Sequence, residues 1–349
     1  EAGTYHTCGL TSCGGVLCWG TNQFGQLGDG TTTTRLSPTA PTGLDSGVAA
    51  IALGSFHTCA LRTDGSLLCW GRNSYGQVGD GTTTSRSTPT PVSGMGSGVA
   101  SVASGSGSDH TCAVTTSGAA KCWGRNYYGQ LGDGTTTDRP VPTDVSSLGS
   151  GVAAIDAGAA FACARTVGSG VLCWGVNDSG QLGDGTTTNR STPAPVSGLS
   201  SGGAALSVGW YAAYALTPGG EVRAWGGNGY GQLGDGTTQN RLTPVQIGSL
   251  QSSVTTLAGG SGHTCALTTG EGVLCWGYNF SGQLGDGTTT NKWTPTIATS
   301  LAGRVAALVA GRNHACAWTA GGGALCWGRN SRGQLGDGTE NDSPQPVRV

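Results

Sequence analysis

Three residue types recur along this chain at spacings that could do chemistry: histidine, cysteine and aspartate. All five histidines (His6, His57, His110, His263 and His314) fall at one position of a repeating unit. Two further units carry Phe161 and Ala212 there instead. A general base needs a setting of its own, with an oriented neighbour. A slot filled five times over in similar local sequence reads as a packed, hydrogen-bonded structural histidine. No Ser-His-Asp or Cys-His arrangement stands out, so no catalytic residue is assigned and the protein is not expected to be an enzyme.

Asp29, Asp80, Asp133, Asp184, Asp235, Asp286 and Asp337 form a sevenfold set, each within Gly-Asp-Gly-Thr. Asp followed by Gly is a turn signal, with the carboxylate capping backbone N–H groups. A calcium loop would need several oxygen ligands, and each turn offers one carboxylate, so neither metal nor cofactor is expected. The threonine tracts after these turns, such as Thr31–Thr34, read as solvated loops that could carry O-linked sugar. Asn177, Asn189, Asn279 and Asn341 lie in N-x-S sequons, relevant in a host that glycosylates them.

Twelve of the thirteen cysteines fall in pairs ten residues apart. Cys8 pairs with Cys18, Cys59 with Cys69, Cys112 with Cys122, Cys163 with Cys173, Cys265 with Cys275, and Cys316 with Cys326. A fifth unit has Tyr214 and Ala224 at the two positions, so both cysteines are lost together. Each pair flanks a short turn, as Cys59 and Cys69 flank Asp64, which sets the two residues opposite each other on a hairpin. Directly opposed residues in a non-hydrogen-bonded pair lie close enough for a disulfide. Six cross-strand bridges are therefore expected, rather than buried thiols. Each would contribute about 2–3 kcal/mol in the chain-entropy view. Such a framework places the protein outside the cytosol: secreted, at the cell surface or in the periplasm. Cys13 is left over in the tip of the first hairpin, as a free thiol or an intermolecular link.

The elements that position these residues are short strands. Trp-Gly recurs at Trp19, Trp70, Trp123, Trp174, Trp225, Trp276 and Trp327, spaced by 51 residues and once by 53. A period of that size means a propeller or a solenoid. The unit from Gly47 to Ser97 holds four apolar runs punctuated by Gly, Asp, Asn or Pro, labelled strands A to D. No run keeps an apolar period near 3.6, so helices should be rare. Seven four-stranded units imply an all-β, seven-bladed propeller, in which radial repetition leaves only short sheet edges. The unbroken repeat argues for a single domain over residues 1–349. Unit one begins at Glu1-Ala2-Gly3, the end of a strand A, so blade one should be short of an inner strand unless residues upstream of Glu1 supply it.

The unit SGVAAIALGSFHTCALRTDGSLLCWGRNSYGQVGDG resembles the repeat of the regulator of chromosome condensation family, in register seven times. The resemblance implies the seven-bladed propeller and leaves activity open, since propellers host many functions. Members range from nucleotide-exchange factors for a small GTPase to a secreted propeller that inhibits β-lactamases, and the inner-strand wording is similar to the latter's. Disulfides would exclude a cytosolic GTPase partner.

With 17 Lys and Arg against 19 Asp and Glu the net charge is −2, which gives no basic footprint for nucleic acid. No apolar stretch is long enough to span a bilayer as a helix, so no membrane insertion is expected.

The aromatics mark a binding face. Ten of the twelve Tyr and Phe residues lie in two kinds of loop. Tyr5, Phe56 and Tyr211, with Trp210, precede the histidine position in the A–B loop. Phe24, Tyr75, Tyr127, Tyr128, Tyr230, Tyr278 and Phe280 follow Trp-Gly in the C–D loop. Arg72, Arg125, Arg312, Arg329 and Arg332 join them. In an up-and-down blade both loop types leave the same end. Tyr, Trp and Arg dominate binding hot spots. Aromatics just before the C–D glycine (Phe24, Tyr75, Tyr128, Tyr230) have an alternative use as packing between blades. Tyr127, Trp210, Tyr211, Tyr278, Phe280 and Arg312 depart from the repeat and are the better candidates. Unit three adds two residues in its A–B loop, within Ser106–Asp109, on the same end.

An extracellular propeller that binds a protein partner fits this pattern best. A multivalent glycan binder would use seven similar aromatic pockets, which the irregular aromatics do not offer. A structural subunit of a surface layer or fibre, assembling through Cys13 or an open edge in blade one, is the third option.

Overall fold

The structure is a computed structural model that describes residues 1–250, 254–270, 272–299, 301 and 305–349. It contains seven antiparallel sheets set in sequence around an axis, and no helix among the described residues. Blade two shows the unit: strand A is Val48–Leu53, B is His57–Arg62, C is Leu67–Gly71 and D is Arg86–Pro91, paired in that order. Inner strands of neighbouring blades touch around the axis, as Val48–Leu53 does with Val99–Ala103. Outer strands carry prolines such as Pro89, Pro91 and Pro140, which cannot donate to a further ladder and so blunt the exposed edge.

Blade one has three strands, His6–Leu10, Val16–Gly20 and Arg35–Thr39. Glu1 to Gly3 run beside the first of them, with Ala2 bridged to Thr7 and Cys8 N–H donating to the Glu1 carbonyl at 3.0 Å. The four-stranded unit thus holds for six blades and is curtailed in this one.

The core is a set of blade-to-blade seams. Each Trp-Gly tryptophan is buried and donates its indole N–H to the glutamine carbonyl of the preceding blade: Trp70 to Gln26, Trp123 to Gln77, and across the closure Trp19 to Gln334, all at 3.0 Å. The glycine two residues after that glutamine must lie flat on the indole. An added Cβ at Gly28 would stand 2.6 Å from Trp70 Nε1, and the residue has a left-handed φ of 75°.

All six cysteine pairs are bridged as the spacing predicts. Cys8 is bonded to Cys18, Cys59 to Cys69, and Cys112 to Cys122. Cys163 is bonded to Cys173, Cys265 to Cys275, and Cys316 to Cys326. In each bridge the Cα atoms are 4.1 Å apart. The two residues are directly opposed on strands B and C in every case. Cys18, Cys69, Cys122, Cys173, Cys275 and Cys326 on strand C are as fully buried as their strand B partners. Cys13 is exposed and free.

Candidate binding face

The A–B and C–D loops leave the same end of every blade because successive strands alternate in direction. Below them the histidines form a repeated seam. His6 Nε2 stands 3.0 Å from Thr58 Oγ1, His57 Nε2 2.8 Å from Thr111 Oγ1, and His314 Nε2 2.8 Å from Thr7 Oγ1, each time in the next blade. The threonine hydroxyl donates to a glutamine carbonyl, as Thr58 does to Gln26, so the histidine is the donor to the threonine. Burial pushes His6, His57, His110 and His314 down to about 3, and His263 to about 4, which keeps the rings neutral. The His6, His57 and His314 rings thus tie neighbouring blades, while Nε2 of His110 and of His263 is buried without a hydrogen-bond partner.

The Gly-Asp-Gly-Thr aspartates are also engaged locally. Asp29 accepts from Thr31 N–H at 3.0 Å and from Asn22 Nδ2 at 3.1 Å, and pairs with Arg35 at 2.7 Å. Burial pushes Asp29 and Asp80 up, but their bonds from Thr31 and Arg35, and from Thr82 and Arg86, outweigh it and leave both below the usual range. The arginine partner was not anticipated, although Arg35, Arg86, Arg139, Arg190 and Arg241 stand six residues after their aspartates. Two sequons are removed as acceptors: Asn177 and Asn279 are buried, and their amides donate to Asp184 and Asp286.

Above the seams the aromatics divide into two sectors. In the first, arginine covers ring. Phe24 packs edge-on against Phe56 with centroids 5.3 Å apart, and Phe56 lies 6.1 Å from Tyr5. The Arg72 guanidinium stands 5.6 Å from Phe24 and 5.2 Å from Tyr75, and Arg125 stands 4.9 Å from Tyr75. Arg329 lies 5.7 Å from Tyr5. Asp109, from the unit-three insertion, lies 3.7 Å from both Arg72 and Arg125. Burial raises Asp109, and the two arginines offset part of that.

Arg312 and Trp210 span the axis. Arg312 sits 4.5 Å over the indole and donates to the Tyr5 hydroxyl at 2.8 Å. An added Cβ at Gly107 would lie 3.0 Å from the same indole. Loops of blades three, five, seven and one therefore meet at this end of the propeller. Both residues are half-buried, so they act in this cap as well as facing outward.

The second sector belongs to blades five and six. Trp210 stacks on Tyr211 at 5.9 Å, Tyr230 meets Tyr278 at 4.8 Å, and Tyr278 meets Phe280 at 4.9 Å. Tyr211 is 47% exposed, Tyr230 50% and Phe280 67%. Among the described residues no arginine lies over Tyr211, Tyr230, Tyr278 or Phe280. Tyr127, 67% exposed, packs edge-on against half-buried Tyr128 at 4.8 Å in blade three. Arg332 is exposed and, among the described residues, lies over no aromatic ring.

The Regulator of chromosome condensation (RCC1) repeat matches this chain in two descriptions. One covers residues 14–61, 64–114, 118–165, 169–213, 219–267, 271–318 and 321–349. The other covers 1–26, 48–77, 99–130, 204–232, 254–283 and 305–334. The ultraviolet-B receptor UVR8 of Arabidopsis thaliana is 33% identical over 99% of this chain and 80% of its own length. The human E3 ubiquitin-protein ligase HERC2 is 35% identical over 77% of this chain, a match to 6% of that much longer protein. Prp20p from Saccharomyces cerevisiae superposes with a TM-score of 0.86 at 21% identity, over 99% of this chain and 87% of that one. No β-lactamase inhibitor stands among these relatives.

Proposed function

This chain belongs to the RCC1 repeat family, and on that premise we propose that it is a non-enzymatic binding propeller that works outside the reducing cytosol and recognises a protein. The observation that carries the reading is the blade-five and blade-six sector, where Tyr211, Tyr230 and Phe280 are exposed with no arginine over them and Tyr230 and Phe280 both pack on Tyr278. Contiguous exposed aromatics on one end supply large contact area at small entropic cost, the composition of interface hot spots. Six buried disulfides support an oxidising compartment. Glycan binding by avidity would call for seven like pockets, and the two sectors are unlike each other.

The test is quantitative capture from native secretions by the parent and by a Tyr211→Ser, Tyr230→Ser, Phe280→Ser variant, with a glycan array beside it. A protein held by the parent and lost by the variant supports the reading. Equal capture by both, or binding confined to the array, overturns it.

A further inference from the structure

The two aromatic sectors differ in what covers their rings, and the repeat accounts for the difference. In blade two, Arg72 follows Trp-Gly and Tyr75 stands three residues later. The Arg72 guanidinium lies 5.2 Å from the Tyr75 ring, and that of Arg125, the equivalent residue of the next blade, lies 4.9 Å from it. Blade five has a tyrosine at the same place, Tyr230. Its residue after Trp-Gly is Gly227, and that of blade six is Tyr278. Tyr278 meets the Tyr230 ring edge-on with centroids 4.8 Å apart, so a ring stands where Arg125 stands in the other sector. Gly227 supplies no side chain in the place of Arg72, and Tyr230 is left 50% exposed.

Charge is divided across this end in the same way. The loops are counted here from strand A to strand B and from Trp-Gly to the glutamine that follows it. In blades seven, one, two and three they carry five arginines and Asp109. In blades four, five and six their one charged residue is Asp178. Asp178 is exposed and, among the described residues, makes no ion pair. Its neighbour Ser179 borders the Gly227 position: a Cβ built on Gly227 would lie 3.6 Å from that of Ser179 and 3.0 Å from that of Tyr211. On the outer side, Trp293 lies against Gly231, the residue after Tyr230, and is 52% exposed. A cation approaching this end is repelled by the arginine half and meets uncovered rings and an unpaired carboxylate on the other half.

We propose that the blade-five and blade-six rings receive an arginine of the protein partner, its guanidinium laid over Tyr230 in the place that Arg72 takes over Tyr75. The chain thus makes within blade two the contact that its partner completes at blade five. A guanidinium is planar, always charged and weakly hydrated, so it stacks on a ring face more readily than an ammonium does. Asp178 adds the attraction that draws the cation to this half. The inference rests on the protein-binding reading and adds to it the chemistry of the residue recognised.

The test is a calorimetric titration of the whole chain with a short acetylated peptide, Leu-Gly-Arg-Gly-Leu amide, and with the same peptide carrying citrulline, the neutral isostere, in place of arginine. The arginine peptide should bind saturably and about two- to fivefold more tightly than the citrulline peptide, the size of an exposed cation–π contact. Tyr230→Leu keeps an apolar side chain and removes the ring face. It should weaken the arginine peptide by a similar factor and leave the citrulline peptide unchanged, with thermal melts checking the fold. Asp178→Asn should weaken the arginine peptide by a smaller factor. Equal binding of the two peptides, an equal loss of both in Tyr230→Leu, loss in Asp178→Asn with Tyr230→Leu unchanged, or no saturable binding overturns the proposal. A secreted protein captured by the parent and lost by the serine variant, beside peptides that bind alike, would refute the arginine and keep the protein partner. Peptides that differ as expected, beside equal capture by parent and serine variant, would keep the ring site and refute the protein reading.

Discussion

The hydroxyls of Tyr214 and Thr264 lie 2.6 Å apart across the seam between blades five and six. Tyr214 occupies a cysteine position, opposed by Ala224, and the histidine position of its blade is Ala212. Its ring fills the space of a disulfide, and its hydroxyl meets the threonine that a histidine meets at other seams, with the Gln232 carbonyl 2.9 Å away. Three departures from the repeat thus make one substitution of parts.

Tyr214→Ala should therefore destabilise the fold by about 3–5 kcal/mol, the cost of emptying a buried aromatic site. Tyr214→Phe should cost about 1 kcal/mol, since Thr264 keeps the Gln232 carbonyl. Tyr214→Cys with Ala224→Cys should form a seventh bridge, visible by mass. It should regain full stability only when Ala212→His is added to reach Thr264. Denaturant titration of the series reads this order. A bridge pair as stable without the histidine as with it would show that the Tyr214 hydroxyl is idle.

Acid lability follows from the buried histidines. Their folded values of about 3 to 4 lie below the ordinary 6.5, so below that pH the unfolded chain binds protons that the folded chain does not. Each such group takes away about 1.4 kcal/mol per pH unit as pH falls through this window. Asp156 works in the opposite sense. Burial raises it to about 7, so its contribution is full below 3.8 and is lost as pH rises toward 7. Five groups outweigh one, and the thermal midpoint should fall from about pH 6.5 to about pH 4.5. A flat midpoint across that range would contradict neutral buried rings.

Much of this was legible because it repeats. Trp-Gly at 51-residue intervals, paired cysteines and Asp-Gly turns each recur often enough for spacing alone to give blade, bridge and turn. What repetition hides is the contact between units. The Trp70 bond to Gln26 links residues 44 apart, and no local pattern signals it. Asp156 shows the same limit: its carboxylate accepts the Val208 N–H of the next blade, 52 residues away. The cap of Gly107, Trp210 and Arg312 joins three non-adjacent blades, so sequence could place those side chains on one end and could not show that they are engaged with each other.

The bridges can be counted directly. Alkylation of the folded, unreduced protein should label Cys13 alone, and twelve further cysteines should react after reduction in denaturant. Because all bridged sulfurs are buried, reductant should act on the folded state slowly, and the reduced protein should melt at lower temperature. Rapid labelling of Cys59 and Cys69 in the native protein would remove the case for an oxidising compartment.

The cap and the exposed rings of blades five and six should respond differently to substitution. Phe280→Ala and Tyr230→Ala remove exposed rings, so they should leave the thermal midpoint unchanged while weakening partner binding by about 1–3 kcal/mol each. Trp210→Ala takes away the ring beneath Arg312 and beside Gly107, so it should loosen the cap as well as binding. Cation–π contacts of this kind contribute about 0.5–2 kcal/mol, which sets the expected loss of stability. Ser66 and Ser117, in B–C hairpins at the opposite end, should tolerate alanine with little effect on affinity. Binding titrations run beside thermal melts separate the two effects. If Trp210→Ala melted like the parent and bound like Phe280→Ala, the cap would have no energetic reality. If the hairpin variants alone lost affinity, the binding face would be the other end of the propeller.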